Sequence, residues 1–143
     1  MLSNLPRHKL INAVLFFSKN VKYPFKLKIF KLLFLLDFKH MKEKGYPVTN
    51  LNYYTWELGP VPRDLFNEIK SGLADDFKNS LQFKTITVKN DNDAFKVIPL
   101  KNPDMSIFTK REKRILEELV FIYKDATGEE MTEITHFKKS TLG

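Results

Sequence analysis

The sequence predicts an α+β fold, mainly α-helical, with one small antiparallel β-hairpin. Two observations carry this. Apolar residues recur at helical spacing over 7–20, 25–44 and from 112 onward, with neither Gly nor Pro inside the first two runs. The period then drops to two around Phe83–Val88 and Ala94–Pro99, on either side of Asn90-Asp91-Asn92-Asp93. At 143 residues the chain can build one real core. No internal repeat, linker or low-complexity segment divides it, so residues 1–143 are expected to form one domain.

The first helix, 7–20, offers Leu10, Ile11, Val14, Leu15 and Phe17 for burial. Tyr23-Pro24 separates it from a second helix running from Phe25 to about Lys44. Pro24 suits a first helical position, where its missing N–H would be unpaired anyway. At about 100° per residue, Lys28, Lys31, Lys39 and Lys42 fall in one sector of roughly 80°. The wet stripe of this helix is therefore expected to be basic. Asp37 lies opposite, between Phe30, Leu33 and Met41. A carboxylate on an apolar face must find donors. The sequence offers Trp56, the hydroxyls of Tyr53 and Tyr54, His136 and backbone N–H groups, with Trp56 or His136 preferred. Asp37 is either a structural pin or a catalytic acid or base. No nucleophile or second acid accompanies it, which favours the pin.

Gly45 is a natural helix stop, with Pro47 close behind. Thr49–Asn52 reads as a loop before the aromatic run Tyr53-Tyr54-Thr55-Trp56. Gly59-Pro60-Val61-Pro62 cannot continue a helix or a central strand and reads as a rigid corner. Pro62 can open the next helix, which reaches Ser71, with Asp64 near its positive end. A short helical turn is expected between Leu73 and Asn79. The hairpin follows, and must pack on the helices because an isolated one is marginal. Thr109 and Glu112 form a capping box for a helix whose apolar stripe is Ile115, Leu116, Leu119, Val120 and Ile122. Thr127 and Glu130 repeat that pattern before a last helix through Met131, Ile134 and Phe137.

Composition removes several functions. Without cysteine there are neither disulfides nor thiolate metal sites. No run of about 20 apolar residues is long enough to span a bilayer, and no secretory signal is present, so a cytoplasmic protein without a membrane partner is expected. There is no Gly-rich phosphate loop. Asp37 and His40 stand at i and i+3, but two ligands do not make a metal site. Ser18, His136 and Asp37 could be assembled on paper as a triad, without any nucleophile elbow to support it. No catalytic residue, cofactor or metal is expected.

Charge is uneven. Residues 1–44 carry ten Lys/Arg against two Asp/Glu, a net of +8, while 45–143 carry fourteen against fifteen, a net of −1. Such a field can steer an acidic protein or a nucleic acid. A solvated lysine face explains it equally simply, and lysines without interleaved arginine favour that explanation. The helices and hairpin also suggest a winged helix, and hence a nucleic-acid-binding regulator as the alternative function. The helix after Pro62 carries only Arg63 and Lys70, balanced by Asp64 and Glu68.

The order K-L-L-F-L-L-D-F, then G-Y-P-V-T, then Y-x-x-W-x-x-G-P-V-P resembles the Panacea domain, also called the SocA-like or phage-associated GepA-like domain. Phe95–Pro99, the helix from Glu112 and Ile134-Thr135-His136 fit the same order of blocks. The matching motif residues are Asp37, Tyr53, Trp56, Gly59, Pro60, Val61, Pro62 and His136, as structural or partner-binding positions. The family commonly continues to a tryptophan-containing tail; here the sequence stops at Gly143, and that tail is expected to be missing or truncated. The resemblance implies a non-enzymatic antitoxin of a bacterial or phage toxin–antitoxin pair, which neutralises its cognate toxin by direct contact. Some SocA-like members are described as adaptors to a Clp-type protease, a second implied partner.

Overall fold

Helix α2 (Lys26–Lys44) is the axis on which the other elements are laid. The computed structural model describes residues 5–56, 59–87 and 93–134. Before α2 comes α1 (Leu5–Asn20). After it come β1 (Tyr53–Trp56), β2 (Gly59–Pro62), α3 (Arg63–Ser71), α4 (Asp75–Lys78), β3 (Leu81–Thr87) and β4 (Asp93–Pro99). A 3-10 turn (Met105–Ile107) leads into α5 (Lys110–Tyr123), and α6 covers 128–134.

Every residue of α2 from Lys28 to Asp37 is buried. A helix buried all round is one that others enclose; α1, α5, β2 and β4 pack on it. This corrects the expected basic stripe. Lys28 and Lys31 are 0 % exposed. Helical spacing does put the four lysines on one sector, but the chain beyond α5 closes over Lys28 and β2 closes over Lys31. Only Lys39 and Lys42, in the last turns, reach water. Gly45 then ends the helix at φ 92°, its N–H donating to the Met41 carbonyl at 2.8 Å. That left-handed conformation is cheap only for glycine.

From α1, Leu10, Ile11, Val14, Leu15 and Phe17 all enter the core. Arg7 fastens this helix to the next layer. Its guanidinium bonds both oxygens of Glu68 in α3, at 2.7 and 2.6 Å, and both of Asp76 in α4, at 2.9 Å. It also lies 4.5 Å from the centre of the Phe77 ring.

Among the described residues two antiparallel strand pairs form rather than one. The expected pair is β3–β4, antiparallel from Leu81↔Pro99 to Thr87↔Asp93. It docks on the helices through Val97, whose N–H donates to the Pro24 carbonyl at 2.8 Å. The second, β1–β2, is built from the aromatic run and the Gly-Pro-Val-Pro corner. The corner is a strand after all, because in a two-stranded sheet it has an outer edge where proline loses nothing.

The capping box at the start of α5 is closed in both directions: Thr109 N–H to Glu112 Oε1 at 2.8 Å, and Glu112 N–H to Thr109 Oγ1 at 3.1 Å. Lys9 holds the other Glu112 oxygen at 2.8 Å, tying α1 to this turn. The apolar arc of α5 is covered at Ile115, Leu116 and Leu119 but runs out in its last turn, where Ile122 is 57 % exposed. Thr127 and Glu130 close the same kind of box before α6, at 3.0 and 3.2 Å. Phe137 lies outside the described residues.

Candidate functional site

The corner where α2, β1 and β2 meet gathers most of the singled-out residues. Asp37 is its centre and is 4 % exposed. Gly45 reverses the chain, so the following loop runs back beside the helix. The backbone N–H groups of Val48 and Thr49 both donate to Oδ1 at 2.9 Å. The Thr49 hydroxyl at 2.5 Å and the Tyr53 hydroxyl at 2.7 Å both donate to Oδ2. Burial pushes the carboxyl up from its ordinary value, and the bonds from Thr49, Tyr53 and Val48 pull against that. Burial, with the Asp37 charge beside it, pushes the Tyr53 phenol well above its usual value, so it keeps its proton and donates. The side chains of the preferred donors, Trp56 and His136, lie outside the described residues; among the described residues the loop supplies three bonds and Tyr53 of β1 the fourth.

The β1–β2 ladder shows why prolines suit this place. Tyr53 faces Pro62, and Thr55 faces Pro60. Antiparallel pairs alternate between exchanging backbone hydrogen bonds and not. Proline has no N–H to exchange, so the proline pairs are the non-bonded ones. Tyr54↔Val61 and Trp56↔Gly59 then carry the ladder. Pro60 therefore turns its carbonyl outward, where the Lys31 ammonium of α2 donates to it at 3.1 Å. Burial pushes that lysine down to about 8. Val61 points inward and is 5 % exposed.

Outside the corner, Tyr54 is exposed and the Arg63 guanidinium lies 5.2 Å from its ring centre. Between β1 and the C-terminal half of α2 runs a groove of about 300 Å³, lined by Phe34, Phe38, Met41, Leu51 and Tyr53 among others. Its cationic rim is Lys42, whose ammonium stands 5.2 Å from the Phe38 ring centre.

A second buried charge sits near the other end of α2. Lys28 donates to three carbonyls, of Lys22 at 2.8 Å, Lys124 at 3.1 Å and Ala126 at 2.6 Å. Burial pushes it down to about 8 as well, against the pull of Asp125 and Glu130. Sequence reasoning missed Val48 and Thr49 as donors and Lys28 and Lys31 as core residues. The near-continuous apolar run of α2 was the available signal, since a helix with apolar residues on every side has no wet face.

Chemically, the corner holds its groups rather than presenting them. Both Asp37 oxygens are fully engaged. The His40 ring Nδ1 is 2.6 Å from the Tyr46 carbonyl oxygen. Among the described residues no three His, Cys, Asp or Glu side chains cluster as metal ligands, and no helix is long and apolar enough to cross a membrane. Part of the basic half is balanced by carboxylates from the rest of the chain. Arg7, Lys9, Lys22 and Lys39 each face a carboxylate, and Lys28 and Lys31 are enclosed. Of its ten cations Lys19, Lys26, Lys42 and Lys44 remain without a carboxylate partner among the described residues.

Residues 29–140, more than half of the chain, match the profile of the family described as "Antitoxin SocA-like, Panacea domain". Comparison with curated proteins and with solved structures gave no match.

Proposed function

Because this chain belongs to the SocA-like antitoxin family with the Panacea domain, we propose that it is the antitoxin of a toxin–antitoxin pair and neutralises its toxin by direct binding. The family membership carries this reading. The corner supports it physically: the charges of α2 are spent on rigidity, and a preformed surface binds with less ordering entropy lost. We read the protein as non-enzymatic and cytoplasmic, and residues 1–143 as one Panacea-like domain. Asp37, Tyr53, Gly59, Pro60, Val61 and Pro62, with Trp56 and His136, are its structural or partner-binding motif. Asp37, Pro60 and Val61 build the scaffold. Tyr54 and Arg63 offer exposed contact, of the residue types enriched in binding hot spots.

The test is co-expression with the product of the neighbouring gene. Growth should be rescued and the two proteins should co-purify. Substituting Arg63 or Tyr54 should weaken the complex while leaving the melting temperature nearly unchanged, whereas Asp37→Ala should lose rescue through folding. A non-toxic neighbour, or rescue without a physical complex, rejects direct neutralisation. An adaptor role predicts that the toxin's half-life falls only when this chain and a Clp-type protease are both present.

A further inference from the structure

We propose that the outer edge of β1 is the toxin-binding element: it takes up an extended segment of the toxin as a third strand. This deepens the reading above and rests on it. The two edges of the β1–β2 ribbon are unlike. On β2 the outer edge is closed, because Pro60 and Pro62 have no N–H there and Lys31 occupies the Pro60 carbonyl. On β1 the outer edge is open with respect to the described residues. Tyr53 and Thr55 are opposite the prolines, so their N–H and C=O groups point away from β2. Among the described residues the sheet has only these two strands, and no further backbone bond from them reaches Tyr53. Unpaired groups two residues apart on a strand edge are the template for strand addition, unless proline or charge blunts them. Here proline blunts one edge only.

What lies beside the open edge specifies the occupant. Side chains of an added strand alternate between faces. Those on the face of Tyr53 enter the groove of Phe34, Phe38, Met41 and Leu51, which Tyr53 itself lines. The rim cation, Lys42, has a ring beneath it and no carboxylate partner among the described residues. The segment that fits is extended, with an apolar side chain for the groove and an acidic residue for Lys42.

The experiment measures amide exchange in the complex co-purified with the neighbouring gene's product, with binding to the Thr55→Pro variant alongside. Proline at 55 removes an outward N–H but no ladder bond. It should leave the melting temperature nearly unchanged and weaken binding by about tenfold or more. Lys42→Glu should also weaken binding. In the native complex the Tyr53 and Thr55 amides should become protected. If the toxin binds while these amides still exchange freely, the strand proposal is overturned and the antitoxin reading stands. Undiminished binding by a folded Thr55→Pro variant overturns it equally. Should Thr55→Pro fail to fold, the exchange data on the native complex decide. If the neighbour does not bind at all, the antitoxin reading itself fails. If protection appears without toxin, in a concentration-dependent dimer, the occupant is a second copy of this chain and the toxin assignment is wrong.

Discussion

Two buried charges sit at opposite ends of α2, and they are held in different ways. Asp37 takes its four bonds from one short stretch, 48–53, immediately after its own helix. Lys28 takes its three from two places far apart in the chain, after α1 and after α5. The sign of the charge explains the choice. A carboxylate only accepts, and a loop reversing beside a helix can aim free N–H groups at it. An ammonium only donates, and unpaired carbonyls collect where helices end. Lys28 thus serves the C-terminal ends of α1 and α5 together, where the helix dipole also favours a cation. One charge orders a local loop; the other joins distant segments.

The comparison can be broken by substitution. Asp37→Ala should be the most damaging change, on the order of 3 kcal/mol, because it strands two buried N–H groups. Asp37→Asn should lose much less, since its amide oxygen still accepts from Val48 and Thr49 while the hydroxyls turn to accept from its NH2. Equal losses in denaturant titrations would show that N–H pairing is not what Asp37 provides.

Lys28→Met should cost about 1–2 kcal/mol. It leaves carbonyls short of a partner, which is better tolerated than a stranded N–H, and it removes a desolvated charge. A loss matching that of Asp37→Ala would erase the distinction between donor and acceptor sites.

The lysines should also be visible in the pH dependence. Lys28 and Lys31 sit at about 8 when folded against an ordinary 10.5. Between these values the unfolded chain holds more protons, so stability should rise with pH. Tyr53 acts oppositely: its folded value is raised, so the stability it contributes is lost above about pH 10, where the unfolded phenol ionises first. Melting temperature should therefore climb from pH 8 and turn over near pH 10. Lys28→Met should flatten the climb; an unchanged profile would mean that Lys28 titrates normally.

The smallest effect is expected for Tyr53→Phe, about 1 kcal/mol. Asp37 Oδ2 keeps the Thr49 hydroxyl, and the ring keeps its edge-on contact with Phe34 at 5.3 Å. Chemical unfolding of Asp37→Asn, Tyr53→Phe and the double variant would isolate their coupling.

Local features are legible in the amino-acid sequence. Gly45, Thr109 with Glu112, and Thr127 with Glu130 each solve a backbone problem within a few residues. So does the alternation of β3 and β4. The burial of Asp37 also follows from the helical period, which puts it among Phe30, Leu33 and Met41. Its donors are harder to foresee, because many residues could donate and only the path of the loop after Gly45 selects Val48, Thr49 and Tyr53.

The fate of Lys28 and Lys31 shows where sequence stops. Periodicity assigns a residue to a face of its own helix, because 3.6 residues per turn is a property of the backbone alone. It does not say what will cover that face. Lys28 is enclosed by carbonyls at positions 124 and 126, and Lys31 by a strand whose prolines turn a carbonyl towards it. The pairing of β1 with β2, and with it the one open edge, belongs to the same class. Prolines at 60 and 62 exclude a central strand from sequence alone, but only the folded register tells which edge they close and which they leave free.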